Sequence, residues 1–266
     1  MFESNLSAYQ QYSILGVKVL TFTLQEWNDY IRHQIEHSSG KSVIVSHNLH
    51  SVYLHYHDER MKLLHQHPLT CGHVDGMPLV WFGRLLGCPL RREHRITWVD
   101  WIDPLMAEAA RCGWRVFYLG STEEVAERGV EILRQRHPGL QIAYANGYFD
   151  ASPNSPESQV RVEQINAFGT QLLIVGMGMP RQEHWILDNL DRLQVNVILT
   201  SGAAMEYVAG AVGTPPRWMG RVGLEWLYRF IEHPKRFWYR YLVEPWFIVW
   251  IMIKEVLRVH LKKFRI

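Results

Sequence analysis

The chain has 266 residues, 47% hydrophobic and 12% aromatic, enough to bury a sizeable core and too apolar for a disordered chain. Its three cysteines, Cys71, Cys88 and Cys112, are an odd number and form neither a CxxC nor a Cys/His pattern, so neither a disulfide framework nor a zinc site is suggested and a reducing cytosol is the expected setting. The net charge of +2 hides an asymmetry: residues 211–266 carry 11 Lys+Arg against 4 Asp+Glu, a net +7, and residues 1–210 carry 17 against 22, a net −5. Such a basic tail, which also holds 12 of the 33 aromatic residues, points to an anionic partner.

The N-terminal stretch MFESNLSAYQQYSILGVKVL has no basic segment followed by an apolar core and a small-residue cleavage site, so secretion is not expected. Along the body, SVIVSHN (42–48), WRVFYLGS (114–121), QIAYANGYF (141–149), QLLIVGMG (171–178) and VNVILTSG (195–202) read as buried strands. Helical spacing lies between them, as in TEEVAERGVEILRQRHPG, where Pro138 and Gly139 end the segment. This alternation predicts an α/β fold: a largely parallel, Rossmann-like sheet with helices on both faces. In CGHVDGMPLVWFGRLLG (71–87), Asp75 sits where a strand hands over to a helix, a position that suits either a helix N-cap or a catalytic carboxylate.

Ligands of doubly wound sheets bind beyond the carboxyl ends of the strands. Ser46, Asn48, Gly120, Gly147, Tyr148, Phe149 and the turn Gly178-Met179-Pro180-Arg181-Gln182-Glu183 occupy such ends, and the amides of the last could hold a phosphate. GxGxxG and GxxxxGK[ST] are absent, which argues against a dinucleotide oxidoreductase or P-loop nucleotidase. The pair GTPPRW (213–218) marks a boundary between a body, 1–212, and a C-terminal helical appendage, 213–266. Near its end, PWFIVWIMIKEVLRVHLKKFRI places Trp246, Trp250 and Leu257 on one helical stripe, with Lys262 and Lys263 beyond it. The eight-residue apolar run before Lys254 is far short of the roughly 20 residues that cross a bilayer. An interfacial helix on an anionic membrane is the expectation, with a helix packed on the body or on another subunit as the alternative. The histidines His47, His50, His55 and His57 are expected in surface or acceptor-groove roles, with no metal site.

VDGMPLVW (74–81), HRIT (94–97), YLGSTEE (118–124), GMGMPRQEHW (176–185), SGAAMEYVAG (201–210) and GLEWLYRFIEHPKRFWYRYL (223–242) together resemble the WecG/TagA/CpsF glycosyltransferases. The resemblance implies an inverting transfer of a sugar from a UDP-sugar donor to a polyprenyl-diphosphate-linked saccharide at the cytoplasmic membrane face. It implies no cofactor and no nucleic-acid partner, and leaves homo-oligomerisation open. Asp75 matches the general base, and Asn48 and Ser46, the latter replacing a Thr, would orient a sugar or the acceptor. Arg95 matches an active-site arginine, although Trp98 replaces the Gly that often follows the Thr. Gln182 and Glu183 match a turn near the donor, and Glu206 stands where many relatives have Asp. Arg229, Arg236 and Arg240 match arginines that bind the donor diphosphate without a metal, in keeping with the absence of a DxD sequence. REHRITWVDWIDPLM resembles the GumM-type exopolysaccharide branch, which implies UDP-glucose and a β-1,4 linkage; an N-acetylmannosamine transferase or a non-catalytic nucleotide-sugar or lipid-binding protein is the alternative.

Overall fold

A computed structural model describes residues 9–214, 219 and 223–263, the side chains of Arg236 and of 259–263 excepted. The expected boundary at Pro215-Pro216, the arginine Arg236 and the terminal cations Lys262 and Lys263 lie outside the residues and side chains described. The centre of the molecule is a six-stranded, wholly parallel sheet of β3 (Ser42–His47), β4 (Thr70–Val74), β5 (Arg115–Gly120), β6 (Gln141–Ala145), β7 (Leu172–Gly176) and β8 (Val197–Thr200), in the order β4-β3-β8-β7-β5-β6. The expected α/β class is therefore observed.

Successive strand residues face opposite layers, as the two-residue period requires. Ile44, Ile174 and Leu199 join the core beneath α1 (Leu24–Glu36), α5 (Trp98–Cys112) and α6 (Glu123–Arg136). Their neighbours Val43, Val45, Leu173, Val175 and Ile198 join Trp185 and Ile186 of α8 (Arg181–Asn189) and Val162 and Ile165 of α7 (Pro156–Ala167). Burial on both faces explains why the strands read as continuous apolar runs. Thr23 and Glu26 form a capping box at the start of α1, and Gly113, at φ +69°, ends α5 in the left-handed conformation.

A hairpin not anticipated from the sequence, β1 (Gln11–Ile14) and β2 (Val17–Leu20), lies beside the edge strand β4. A Cβ on Gly72 would come within 2.6 Å of the Lys18 carbonyl, so glycine is what lets the two approach. Its residues Ile14, Leu15, Val17 and Val19 found a third core with Leu79 and Val80 of α4 (Met77–Leu85).

After α9 (Ala204–Val208), the described residues of the C-terminal appendage form α10 (Glu225–Glu232), α11 (Pro234–Trp238), a π-turn (Tyr239–Val243) and α12 (Glu244–Lys263). Ile248 and Ile251 of α12 are buried in the third core, and Glu255 accepts the Leu15 amide at 3.1 Å. Trp246, Val249, Trp250, Ile253 and Leu257 are exposed on the opposite face. The packed-helix alternative thus holds for one face of α12, and the predicted stripe remains open on the other. Among the described residues no helix is long and apolar enough to cross a membrane.

Candidate active site

Because all six strands run parallel, their carboxyl ends form one edge, where Asn48, Asp75 and Gly178 follow β3, β4 and β7 and Gly120 ends β5. Asp75 follows β4 directly. Its amide donates to the His47 carbonyl at 2.8 Å and its carbonyl accepts from Arg95 Nε at 3.2 Å, so the backbone is fixed from two sides. The N-cap of α4 is Gly76, without a side-chain cap, so Asp75 does not serve as the cap and its half-buried carboxylate is left for other work. Asn48 Nδ2 lies 3.5 Å from Asp75 Oδ2. The same side chain caps α2 (Leu49–His57) by accepting the Ser51 amide at 3.1 Å, which holds the Asn48 amide group in place beside Asp75.

Arginines of the appendage supply the opposite charge. Arg229 stacks over the Tyr207 ring at 5.5 Å, and Arg240 lies 5.8 Å from the centroid of Tyr241. Burial works against the charge of Arg229, but attraction by Tyr207, Asp75, Tyr241 and Glu225 outweighs it and raises the guanidinium above its usual range. Burial, reinforced by Arg229, lowers Arg240 despite the pull of Tyr241, Glu244 and Asp75. Two neighbouring cations that both feel Asp75 form a place where a dianionic group is electrostatically favoured. Tyr241 is itself surrounded by Trp226, Phe230 and Phe237, at centroid separations of 5.7, 6.4 and 5.5 Å, so Arg240 stands on a packed aromatic base.

Other expected residues are placed differently. Ser46 is buried, with Oγ 2.7 Å from His73 Nε2 and 3.1 Å from the Thr200 carbonyl, so it ties β3 to β4 and β8 and does not face the crevice. Arg95 is largely buried and pairs with Glu225, joining the Asp75 turn to α10. Phe149 packs against Trp185 in the core, whereas its neighbour Tyr148 is 76% exposed. Gly120 and Gly147 sit where the chain ends of β5, β6 and β7 touch: a Cβ on Gly120 would strike the Gly176 backbone, and one on Gly147 would lie 2.9 Å from the Gly120 Cα. Gly178, at φ +78°, and Pro180 lead into α8, but the Gly178 amide is taken by Gln182 Oε1 at 3.2 Å and is not free for a phosphate. Gln182 and Glu183 are both 1% exposed. Glu206 is half-buried on α9, and its charge helps raise the phenol of the buried Tyr118, whose shift comes first from burial.

The histidines correct a further expectation. His47 and His55 are buried with His65 and His73, and burial first, then mutual repulsion for His47 and His65, lowers them; His65 and His73 both fall to about 3. They are neutral core groups. Among the described residues no three His, Cys, Asp or Glu side chains are grouped to hold a metal ion. Tyr207, Glu225 and Thr200 were missed from the sequence. Tyr207 and Glu225 adjoin or share segments with Glu206 and Arg229, which was the available signal.

A parallel α/β sheet with a carboxylate at its carboxyl edge, within electrostatic reach of a pair of arginines, can deprotonate a nucleophile while neutralising a departing anion, which is the chemistry of group transfer from a diphosphate. The chain belongs to the glycosyl transferase WecG/TagA/CpsF family, whose pattern it matches over residues 12–262. It is similar to N-acetylglucosaminyldiphosphoundecaprenol N-acetyl-beta-D-mannosaminyltransferases of Staphylococcus aureus strains MW2 and NCTC 8325, each 30% identical over 225 residues, 84% of this chain and 85% of the relative. The protein is accordingly a glycosyltransferase.

Proposed function

We propose that the protein transfers a hexosyl group from a UDP-sugar to a saccharide carried on a polyprenyl diphosphate, with inversion and with Asp75 as the base. The carrying observation is Asp75 itself, fixed by His47 and Arg95 through its backbone, with its side chain left uncapped near Arg229 and Arg240. Asp75 takes the proton of an acceptor hydroxyl as that oxygen attacks the anomeric carbon; the bond from that carbon to the UDP oxygen breaks, and the arginines take up the charge of the departing diphosphate. Asn48 orients the carboxylate or the acceptor. Gly120, Gly147, Tyr148 and Gly178 line the donor side, and Arg236 is assigned to the diphosphate on the sequence resemblance alone.

The relatives' names, with their lipid-diphosphate acceptor, support the acceptor class. Trp81 and Leu85, exposed on α4 one turn apart, give the lipid an apolar face near the Asp75 turn. The exposed face of α12 supports docking on the cytoplasmic face of an anionic membrane. For the sugar we favour glucose in exopolysaccharide synthesis, on the resemblance of residues 92–106. N-acetylmannosamine is the second reading, favoured by the relatives' names. Purified protein offered a panel of radiolabelled UDP-sugars and a polyprenyl-diphosphate-linked N-acetylglucosamine tests all of this. Transfer from UDP-glucose sustains the reading, transfer from UDP-N-acetylmannosamine alone replaces the sugar, and UDP binding without any transfer leaves only a binding protein.

A further inference from the structure

Gln182 sits at the second position of α8 with its amide inside the protein, and its partners fix which way that amide must face. The backbone N–H groups of Gly178, after β7, and Gly202, after β8, both point at it, each 3.2 Å from Oε1. A backbone N–H can only donate, so the oxygen must face the two glycines. The Nε2 end then needs an acceptor, and Glu183 Oε1 lies 2.7 Å away. The second oxygen, Glu183 Oε2, is buried without a hydrogen-bond partner.

Its place in the first turn of α8 and its own backbone amide favour the charged form, but neither supplies a counter-ion. The charged groups around it are committed to one another: Asp58 accepts from His184 Nε2 and caps α3 (Glu59–Gln66), and Arg60 pairs with Asp188. Among the described residues no cation is paired with Glu183. A buried carboxyl lacking a counter-ion is costly, and burial raises Glu183 to about 7. The cost is understandable if an acceptor oxygen is required at this point. The two turns held by Gln182 follow adjacent central strands, and Ser201 Oγ donates to the Val175 carbonyl at 3.2 Å between them. From there Thr200 continues to Ser46, whose strand ends next to Asn48.

We propose that Glu183 is a positioning residue, whose carboxyl oxygen holds Gln182 Nε2 so that Gln182 Oε1 locks the Gly178 and Gly202 turns into the floor of the donor site. It does not touch the donor. This rests on the proposed function, in which the UDP-sugar lies over those turns. The protonated and ionised forms both offer an acceptor oxygen, so an amide replaces Glu183 and a hydrocarbon does not.

The test compares Glu183→Leu, Gln182→Leu and Glu183→Gln in the full chain. Glu183→Leu and Gln182→Leu should raise the donor KM, and weaken UDP binding by calorimetry, by about tenfold, the equivalent of one lost buried hydrogen bond, with kcat at saturating donor changed less. Glu183→Gln should restore both to within about threefold of the wild-type chain. Amide exchange at Gly178 and Gly202 should accelerate in the two leucine variants and not in Glu183→Gln, and this reading requires no sugar substrate. Wild-type donor KM with unchanged glycine exchange in folded Glu183→Leu overturns the proposal, as does a Glu183→Gln variant as impaired as the leucine variants. If the leucine variants do not fold, an impaired donor KM in Glu183→Gln alone overturns it, and an unimpaired one supports the requirement for an acceptor oxygen. Accelerated glycine exchange in a chain whose wild type neither binds UDP nor transfers sugar leaves the lock standing and removes the donor reading.

Discussion

His50 Nδ1 donates to both carboxylate oxygens of Glu244, at 3.0 and 2.8 Å, and so joins the first turn of α2 to the first turn of α12. His50 lies two positions from Asn48, so this contact couples the appendage to the helix that begins in the site. Glu244 is buried, and His50→Ala would leave its carboxylate without a donor. The expected cost is about 1–3 kcal/mol by urea denaturation, with faster amide exchange in 244–256. Truncation at residue 244 is expected to be worse, because it also uncovers the core around Ile248 and Ile251, each worth about 1.5–3 kcal/mol of burial. Loss of soluble folded protein is the outcome to look for.

Asp75→Asn keeps the size of the side chain and both backbone contacts, which use the Asp75 amide and carbonyl. It should leave folding and UDP affinity intact and lower kcat by about 10²–10⁴-fold, the range for a lost general base. Turnover close to wild type would assign the base elsewhere.

Arg229→Ala removes a cation that feels Asp75 and rests on Tyr207. If the contact strengthens as the diphosphate departs, transfer should fall on the order of 10²-fold, and kcat should fall with kcat/KM. Arg229→Lys keeps charge but not the paired donors and should fall between. Full activity in folded Arg229→Ala and Arg240→Ala would show that the appendage does not complete the site.

The order of legibility follows from what each signal depends on. The parallel sheet was readable because strands buried on both faces leave unbroken apolar runs, as in QLLIVGMG. The hairpin was not, since its two strands have four residues each and turn at Leu15 and Gly16, with no Asn-Gly or Asp-Gly pair to announce it. Motif position put Asp75, Gln182 and Glu183 beyond the carboxyl ends of strands, where they lie, yet the direction of a side chain is set by packing. The sequence therefore did not show that Ser46, Phe149, Gln182 and Glu183 turn inward. α12 misled in a different way: with apolar residues on two opposite faces, its Trp stripe was legible and its buried Ile248 and Ile251 set was not.

Glu183 also predicts a pH dependence of stability. Its folded value of about 7 exceeds the ordinary 4.5, so between these limits the folded chain retains a proton that the unfolded chain has released. The contribution of Glu183 to stability then falls as pH rises through that window, and its full cost is present above about 7. Glu183→Gln removes the titration, so its thermal midpoint should gain on that of the wild-type chain as pH is raised from about 5 to about 8. A constant difference across that range would mean that Glu183 is not forced to ionise in the core.

The exposed face of α12 separates membrane docking from folding, because Trp246 and Trp250 are 76% and 51% exposed and neither belongs to the third core. Lys254 Nζ lies 3.5 Å from the Trp250 ring centroid, and exposed Arg258 follows one turn later, so cations flank the apolar stripe. On vesicles containing anionic lipid, each cation near the surface should contribute about 1 kcal/mol, and salt should screen that part. The two tryptophans should contribute a part that salt leaves in place, at about 25 cal/mol per Å² of apolar area transferred. Trp246→Ala with Trp250→Ala should therefore keep the folded chain and its UDP affinity and lose the flotation that survives high salt. Lys254→Ala with Arg258→Ala should lose the salt-sensitive share instead. Flotation of the double tryptophan variant equal to wild type at high salt would place docking on another surface, with Trp81 and Leu85 of α4 the next exposed apolar pair to substitute.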